Sequence, residues 1–121
     1  MRVLIAILAI SILAGCSDSV TLVIKADNYQ KTFEVALDVP FEVWLPSNPS
    51  TGFGWSTETL DGLDIGEPLF VQEGTGVGAA GQDRFVVTAR KPGSYFLLFE
   101  YSRPWEDVPA ERVFTVVVET S

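Results

Sequence analysis

The chain has 121 residues, of which 47% are apolar. It contains 8 basic and 16 acidic side chains, which give a formal net charge of −8. This length suits one compact domain with a single core rather than two. The acidic balance argues against nucleic acid as a partner, because phosphate backbones repel such a chain. The sequence contains no histidine, which excludes Ser-His-Asp and Cys-His catalysis by this chain alone and removes the commonest metal ligand. We therefore expect no catalytic residue, no metal and no cofactor.

The N-terminus has the pattern of a secretory signal. Met1-Arg2 supplies a short positive region, and residues 3–13 form an almost unbroken apolar run. The run has about half of the ~20 residues that a helix needs to cross a bilayer, so we expect no permanent transmembrane helix. Small residues then precede Cys16, which is typical of a cleavage site. We assign residues 1–15 to a signal peptide.

The segment Leu13-Ala14-Gly15-Cys16 resembles the bacterial lipobox. That resemblance implies that the peptide bond before Cys16 is cut and that the thiol and the new amine carry acyl chains such as palmitate. Acyl chains contribute roughly 0.8 kcal/mol per buried methylene, so they would anchor the domain to a membrane. We expect a lipid-anchored protein of the cell envelope. If the organism is Gram-negative, Ser17 after the cysteine resembles the signal that sorts lipoproteins to the outer membrane, on its periplasmic or its surface side. The alternative is an ordinary signal peptide followed by a fortuitous cysteine.

Apolar and polar side chains alternate with a period of two along several segments, which is the pattern of half-buried strands. In chain order the alternating apolar residues are Val20, Leu22, Ile24; Phe33, Val35, Leu37; Phe41, Val43, Leu45; and Phe85, Val87, Ala89. Residues 94–101 and 112–119 are rich in aromatic and β-branched residues, and there we expect strands packed on both faces.

The spacing of these segments predicts an all-β protein, an immunoglobulin-like β-sandwich of seven to eight short strands. Turn residues such as Asp61-Gly62 and Lys91-Pro92-Gly93 separate the predicted strands. We divide the chain after the signal peptide into a lipidated N-terminus with a lead-in strand, residues 16–27, and a folded domain, residues 28–121.

Three segments between the predicted strands are unlike ordinary connectors. The first loop (residues 46–55) reads PSNPSTGFGW, the middle loop (73–83) reads EGTGVGAAGQD, and the third loop (102–110) reads SRPWEDVPA. Loops that combine glycine, proline and aromatic residues on a rigid sandwich are frequent binding sites. Pro49 fixes its own φ and biases Asn48 toward extended backbone, which stiffens the first loop.

These loops resemble those of the chagasin-like inhibitors of papain-type cysteine peptidases. The segment from Asn48 to Trp55 resembles that family's NPTTGY-x-W loop, Gly78-Ala79-Ala80-Gly81 resembles its GxGG loop, and Arg103-Pro104-Trp105 resembles its RPW loop. The order and spacing of the loops also match, and the similarity extends from about residue 28 to residue 119. Three short motifs in the same order are far more specific than any one of them.

The chain departs from the family pattern at Ser50, Phe53 and Ala80. Serine and phenylalanine keep the chemistry of the threonine and tyrosine that they replace. Ala80 adds a methyl group where we expect the backbone to need positive φ, at a strain of roughly 1 kcal/mol or more. The middle loop is therefore the weakest of the three matches.

The resemblance implies a β-sandwich whose three loops lie at one end and form a wedge that enters the peptidase cleft. It implies a reversible, non-covalent inhibitor of papain-family cysteine peptidases, with Thr51 in the position of the family's blocking threonine. We expect the inhibitor to be a monomer. The residues implied to bind the peptidase are Asn48, Pro49, Ser50, Thr51, Gly52, Phe53, Val77, Gly78, Ala79, Ala80, Gly81, Arg103, Pro104 and Trp105.

Several aromatic and charged residues also have purely structural interpretations. We expect Trp55 to return to the core, because it begins a predicted strand. For the third loop, the alternatives are that Trp105 folds back onto the sandwich, or that Arg103 pairs with Glu100 or Glu106 at the surface. For the middle loop, the alternative is a plain mobile connector.

Two other classes of function stay open. One is a non-inhibitory envelope lipoprotein that binds glycans or an envelope complex through the same loops, although the aromatic residues are dispersed and the sequence has no Asp-x-Asp loop. The other is an enzyme that depends on paired carboxylates. Asp61 and Asp64 are close in sequence, but they lie in a glycine-containing turn with no sign of an apolar pocket. We therefore predict that the chain is not an enzyme.

Overall fold

The computed structural model describes residues 22–121. The predicted signal peptide, the predicted lipidation site Cys16 and the predicted strand residue Val20 lie outside the described residues. Within residues 22–121, no helix combines the length and the hydropathy that crossing a membrane requires.

The described chain forms nine β-strands in two mixed sheets. The strands are β1 (Val23–Lys25), β2 (Thr32–Glu34), β3 (Phe41–Ser47), β4 (Gly54–Thr57), β5 (Leu63–Ile65), β6 (Leu69–Gln72), β7 (Gly81–Ala89), β8 (Gly93–Ser102) and β9 (Arg112–Thr120). Single 3₁₀ turns occupy Ala26–Asn28 and Pro49–Thr51. The first sheet has the order β1-β3-β7-β5, with β6 also paired to β7, and the second has the order β2-β9-β8-β4.

The predicted all-β sandwich is confirmed, with more strands than expected because the short β5 and β6 pair with successive parts of β7. The alternation in β3 and β7 marks the face that packs into the core. Val43 lies opposite Phe85 and Phe41 opposite Val87 in this antiparallel pair, and all four side chains are buried. Burial of each such side chain contributes about 1.5–3 kcal/mol, which makes this pair a major part of the core.

The second sheet is buried on one face only, so the expectation that 94–101 and 112–119 pack on both faces is wrong. In β8 the side chains of Tyr95, Leu97 and Phe99 are buried, whereas Phe96 between them is 59% exposed. β9 alternates in the same way. The reason is the two-layer architecture, in which each sheet has one face toward the other sheet and one face toward solvent.

The two N-terminal strands are short edge strands that pair in parallel with longer ones. β1 pairs with β3, and its central residue Ile24 is fully buried, so the described part of the lead-in segment belongs to the sandwich. β2 pairs with β9 and ends at Glu34. The predicted alternation does not continue through Leu37, which is exposed, because the chain turns at Asp38 with a φ of 63°.

Strand directions bring the three loops to one end of the sandwich. β3 leads into the first loop and β7 follows the middle loop, and Ser47 lies opposite Gly81 in their antiparallel pair. β8 leads into the third loop and β9 follows it, with Tyr101 opposite Arg112. The chain enters β1 at the other end, where the Leu22 carbonyl accepts a hydrogen bond from the N–H of residue 42 near the start of β3.

Candidate functional site

The first loop is a capped turn that satisfies most of its own polar groups. Between the strands it spans residues 48–53, which is shorter at both ends than predicted. Asn48 Oδ1 accepts hydrogen bonds from the Ser50 backbone N–H at 3.3 Å and from Ser50 Oγ at 2.6 Å. Pro49 occupies the first position of the 3₁₀ turn, and Gly52 ends it with a φ of +86°. The Asn-Pro pair therefore stiffens the loop, as its sequence predicted.

The hydroxyl of Thr51 belongs to the internal bonding of this turn. Thr51 Oγ1 donates to the Asn48 carbonyl at 2.7 Å and accepts from the Phe53 N–H at 3.3 Å. The residue itself is exposed. The hydroxyl holds the shape of the tip, while the small size of the Ser50-Thr51-Gly52 segment keeps the tip narrow.

The third loop begins with a four-residue turn that presents Trp105 to solvent. The N–H of Glu106 donates to the Arg103 carbonyl at 3.1 Å, which places Pro104 and Trp105 at the two central positions of a β-turn. Trp105 is 69% exposed, so the alternative in which it folds back onto the sandwich is wrong. Arg103 pairs with Glu106 at 3.1 Å, the second of its two predicted surface partners.

The first and third loops touch each other at their tips. Arg103 Nε donates to the Thr51 carbonyl at 3.0 Å, and the guanidinium lies 4.4 Å from the ring centre of Phe53. The indole of Trp105 lies against Gly52, where a Cβ would be 2.9 Å from Trp105 Cζ2. The two loops therefore form one continuous surface.

Aromatic rings support this surface from below. Phe53 stacks on Tyr101 with ring centres 5.2 Å apart, and Tyr101 contacts Trp55 at 4.9 Å. The hydroxyl of Tyr101 accepts a hydrogen bond from the Asn48 N–H at 3.1 Å, and Trp55 Nε1 donates to the Pro46 carbonyl at 2.8 Å. Trp55 is only 7% exposed, which confirms the core interpretation. Tyr101 was missed from the sequence, although it continues the inward period-two series of β8.

The middle loop lies beside the first loop, and the two approach each other at Gly78 and Ser50. Its apex residue Val77 is fully exposed, and Gly78 has a φ of +79° and approaches Ser50, with 3.7 Å between a Cβ on Gly78 and Ser50 Oγ. The loop closes through a hydrogen bond of 3.0 Å from the Glu73 N–H to the Ala80 carbonyl.

The expected strain at Ala80 is absent. Among the described residues, Gln30 and Asp38 are the non-glycine residues with positive φ. The left-handed conformations of the middle loop fall on Gly74, Gly76 and Gly78. Gly81 is required for a different reason, since a Cβ there would collide with the backbone of β6 at Val71 and Gln72.

Asp83 is a buried carboxylate beneath the first loop, whereas its sequence position marked it only as the end of the middle loop. It shares the inward face of β7 with Phe85. Burial raises the pKa of Asp83 above its ordinary value, and hydrogen bonding from the Ser47 side chain and the Trp55 backbone partly offsets this rise. Its position in the inward period-two series was the signal that identifies it as a buried charge.

The carboxylates considered for an enzyme lie far from the three loops. Asp61 pairs with Lys91 at 3.2 Å and Asp64 pairs with Arg90 at 3.4 Å, at the opposite end of the sandwich. Within residues 22–121, no cluster of three or more acidic or cysteine side chains is placed to hold a metal ion. The loop end presents a narrow projecting tip, the exposed indole of Trp105 and backbone polar groups. Such features allow a surface to bind another protein.

Comparisons of sequence identify relatives of the chain. Residues 34–118 match the family described as "Chagasin family peptidase inhibitor I42". Chagasin of Trypanosoma cruzi is 36% identical over 90 residues, which cover 69% of this chain and 81% of that protein. Amoebiasin-1 of Entamoeba histolytica is 30% identical over 94 residues, which cover 76% of this chain and 92% of that protein.

A solved structure shares the fold. The crystal structure of the cysteine protease inhibitor EhICP2 from Entamoeba histolytica matches with a TM-score of 0.75 at 23% identity, covering 84% of this chain and 96% of that chain. Sequence and fold agree on one assignment. The chain belongs to the chagasin family of peptidase inhibitors.

Proposed function

We propose that the chain is a reversible inhibitor of papain-type cysteine peptidases that blocks the active-site cleft. The observation that carries the proposal is the contact between the tips of the first and third loops, where Arg103 bonds to Thr51 and Trp105 covers Gly52. With the middle loop beside them, these tips form one projecting surface at one end of the sandwich. Membership of a peptidase-inhibitor family favours this function over a glycan- or envelope-binding module.

The composition of the surface suits a cleft. Its centre is the narrow Ser50-Thr51-Gly52 tip, and an exposed apolar residue stands on each side, Trp105 on one loop and Val77 on the other. A small tip reaches to the bottom of a cleft, while larger apolar side chains cover its rims and exclude water. The internal hydrogen bonds of the first loop lower the entropy lost on binding.

Inhibition proceeds by occlusion, without a bond formed or broken in the inhibitor. The chain has no histidine to activate a nucleophile, and its single cysteine, Cys16, lies in the segment that resembles a lipobox. The Thr51 hydroxyl already donates to a backbone carbonyl within its own loop. The complex should therefore dissociate to give intact inhibitor.

Titration of papain with the polypeptide from Ser17 to Ser121 tests this function. We expect stoichiometric loss of peptidase activity, recovery of activity on dilution, and an unchanged inhibitor mass by mass spectrometry. Loss of activity through a covalent adduct or a stable cleaved product would rule out occlusion. A folded chain that leaves papain fully active would instead favour the envelope-binding alternative.

Acylation of Cys16 is the second part of the proposal. The chain enters the sandwich at the end opposite the three loops, so an anchor at Cys16 would point the loops away from the membrane. Five residues separate Cys16 from Leu22, so the two Cα atoms can be at most about 22 Å apart. The domain would stay near the membrane of the cell envelope with its binding surface directed outward.

Metabolic labelling with a radioactive fatty acid tests the anchor. The wild-type chain should incorporate label and fractionate with membranes, with the outer membrane in a Gram-negative organism, whereas Cys16→Ser should do neither. Retention of label by Cys16→Ser would overturn the assignment. Papain inhibition should be the same for both chains, and light scattering of the unlipidated form should give the mass of a monomer.

A further inference from the structure

The carbonyl group of Thr51 is the point at which the third loop holds the first. The N–H groups of Thr51 and Gly52 bond within the turn, to the carbonyls of Asn48 at 3.1 Å and Pro49 at 3.0 Å. The Thr51 carbonyl lies at the C-terminal end of that turn, where the last carbonyls have no partner inside the helix. Arg103 Nε supplies the partner at 3.0 Å.

Glu106 fixes the guanidinium that makes this bond. Glu106 Oε2 accepts from Arg103 Nη1 at 3.1 Å, and the Glu106 N–H closes the turn on the Arg103 carbonyl. A guanidinium is planar and its donors have fixed directions, so a carboxylate on Nη1 also sets the direction of Nε. The ring of Phe53 lies against the same group and restricts its movement on one side.

We propose that Glu106 is a positioning residue of the inhibitory surface, which acts by holding Arg103 on the Thr51 carbonyl. The tip of the first loop is then already in its binding shape before it meets a peptidase. Glu106 was not among the residues predicted to bind the peptidase, and this role requires no contact between Glu106 and the target. The inference rests on the proposed inhibitory function, but the contact itself exists in the free protein.

The surroundings of this ion pair distinguish it from an ordinary surface pair. Isolated surface pairs contribute little, because both ions remain hydrated and two flexible side chains must be ordered. Here the two side chains are 35% and 34% exposed, and the backbone turn places them three residues apart on the same side. Arg103 also contacts the Thr51 carbonyl and the ring of Phe53. Loss of Glu106 should therefore increase the mobility of the tip of the first loop.

The test compares two substitutions that remove the same charge. Glu106→Gln removes the carboxylate that holds Arg103. Glu100→Gln is the matched control, since Glu100 is exposed on β8 and takes part in none of the ion pairs of the described chain. For each full-length chain, amide hydrogen exchange of residues 51–53 is measured without a target, and association and dissociation rates are measured with papain.

We expect Glu106→Gln to speed amide exchange within residues 51–53 at an unchanged melting temperature and to weaken papain binding three- to tenfold. Glu100→Gln should leave exchange unchanged and alter the affinity less than twofold. In the double variant Arg103→Met/Glu106→Gln, the loss of affinity should equal that of Arg103→Met alone, because Glu106 acts only through Arg103.

Three results would overturn the inference: equal effects of the two Glu→Gln variants, unchanged exchange in Glu106→Gln, or additive losses in the double variant. Failure of the proposed function would look different. If the wild-type chain does not bind papain, but Glu106→Gln still loosens residues 51–53 and Glu100→Gln does not, the positioning role stands while the inhibitory function fails.

Discussion

The indole of Trp105 rests on the backbone of Gly52, so closely that a methyl group at Gly52 would lie only 2.9 Å from Trp105 Cζ2. The two residues lie on different loops, one joining the two sheets and the other joining β8 to β9 of the second sheet. Glycine is required at position 52 for two reasons: its φ is +86°, and no side chain fits beneath the indole ring. The contact orients an otherwise exposed tryptophan.

We expect Gly52→Ala to displace Trp105 and weaken papain binding at least about tenfold. An alanine at positive φ costs about 1 kcal/mol, and its methyl group would overlap the indole. Binding kinetics and tryptophan fluorescence measure both effects. Gly54→Ala is the control, because a Cβ at Gly54 meets no heavy atom within 4 Å. Equal affinities of the two variants would contradict the role of the Gly52 contact.

Trp105→Ala should weaken binding mainly through faster dissociation. Truncation of a tryptophan at a binding hot spot costs roughly 2 to 4 kcal/mol, a factor of about 30 to 1,000 in Kd. The melting temperature should change little, because the indole is 69% exposed in the free protein. Surface binding kinetics and thermal melts check the two statements separately. A sharp fall in melting temperature with unchanged affinity would assign Trp105 to the fold instead.

Two substitutions of Thr51 test different properties of the tip: Thr51→Ala tests its hydrogen bonds, and Thr51→Glu tests its small size and lack of charge. Thr51→Ala removes the hydrogen bonds to Asn48 and Phe53 that order the tip in the free protein. The variant must order the tip on binding, which should weaken Kd by about fivefold or less. Thr51→Glu places an unpaired carboxylate in the cleft at a cost of several kcal/mol. Both variants should keep the wild-type circular dichroism spectrum. Tight papain binding by Thr51→Glu would show that the tip does not enter the cleft.

The pKa of Asp83 gives a prediction for stability against pH. Burial raises this pKa in the folded chain, so the stabilising contribution of Asp83 is complete below its unfolded pKa and is lost as the pH rises through the folded pKa. Asp83→Asn should therefore gain stability relative to the wild type as the pH increases. Melting temperatures of both chains from about pH 3 to about pH 7 measure the difference.

Asp27→Asn is the control for this series, because it removes the same charge from an exposed position. Its melting temperature should follow that of the wild type across the range. The raised pKa would be contradicted if the melting temperature of the wild type increasingly exceeded that of Asp83→Asn as the pH rises toward about 7.

Alternation in the sequence was sufficient to predict the buried faces of β3 and β7. Phe41, Val43 and Leu45 on β3 are buried as expected, because side chains two apart on a strand share a face. The same reasoning failed for residues 94–101, where apolar side chains on both faces suggested two-sided packing. Phe96 would be buried only if another layer of structure packed on the outer face of the second sheet. The residue types of the strand do not show whether such a layer exists.

The sequence by itself determined the class of fold, the lack of histidine chemistry and the three loop motifs, since each depends on residue types and short spacings. Only the tertiary structure decided that Trp105 faces outward over Gly52, that Arg103 takes Glu106 and Thr51 as partners, and that the backbone of Ala80 is unstrained. The Arg103 and Thr51 contact joins residues 52 positions apart. Such contacts follow from which strands pair and where each strand ends, and these depend on packing the whole core at once.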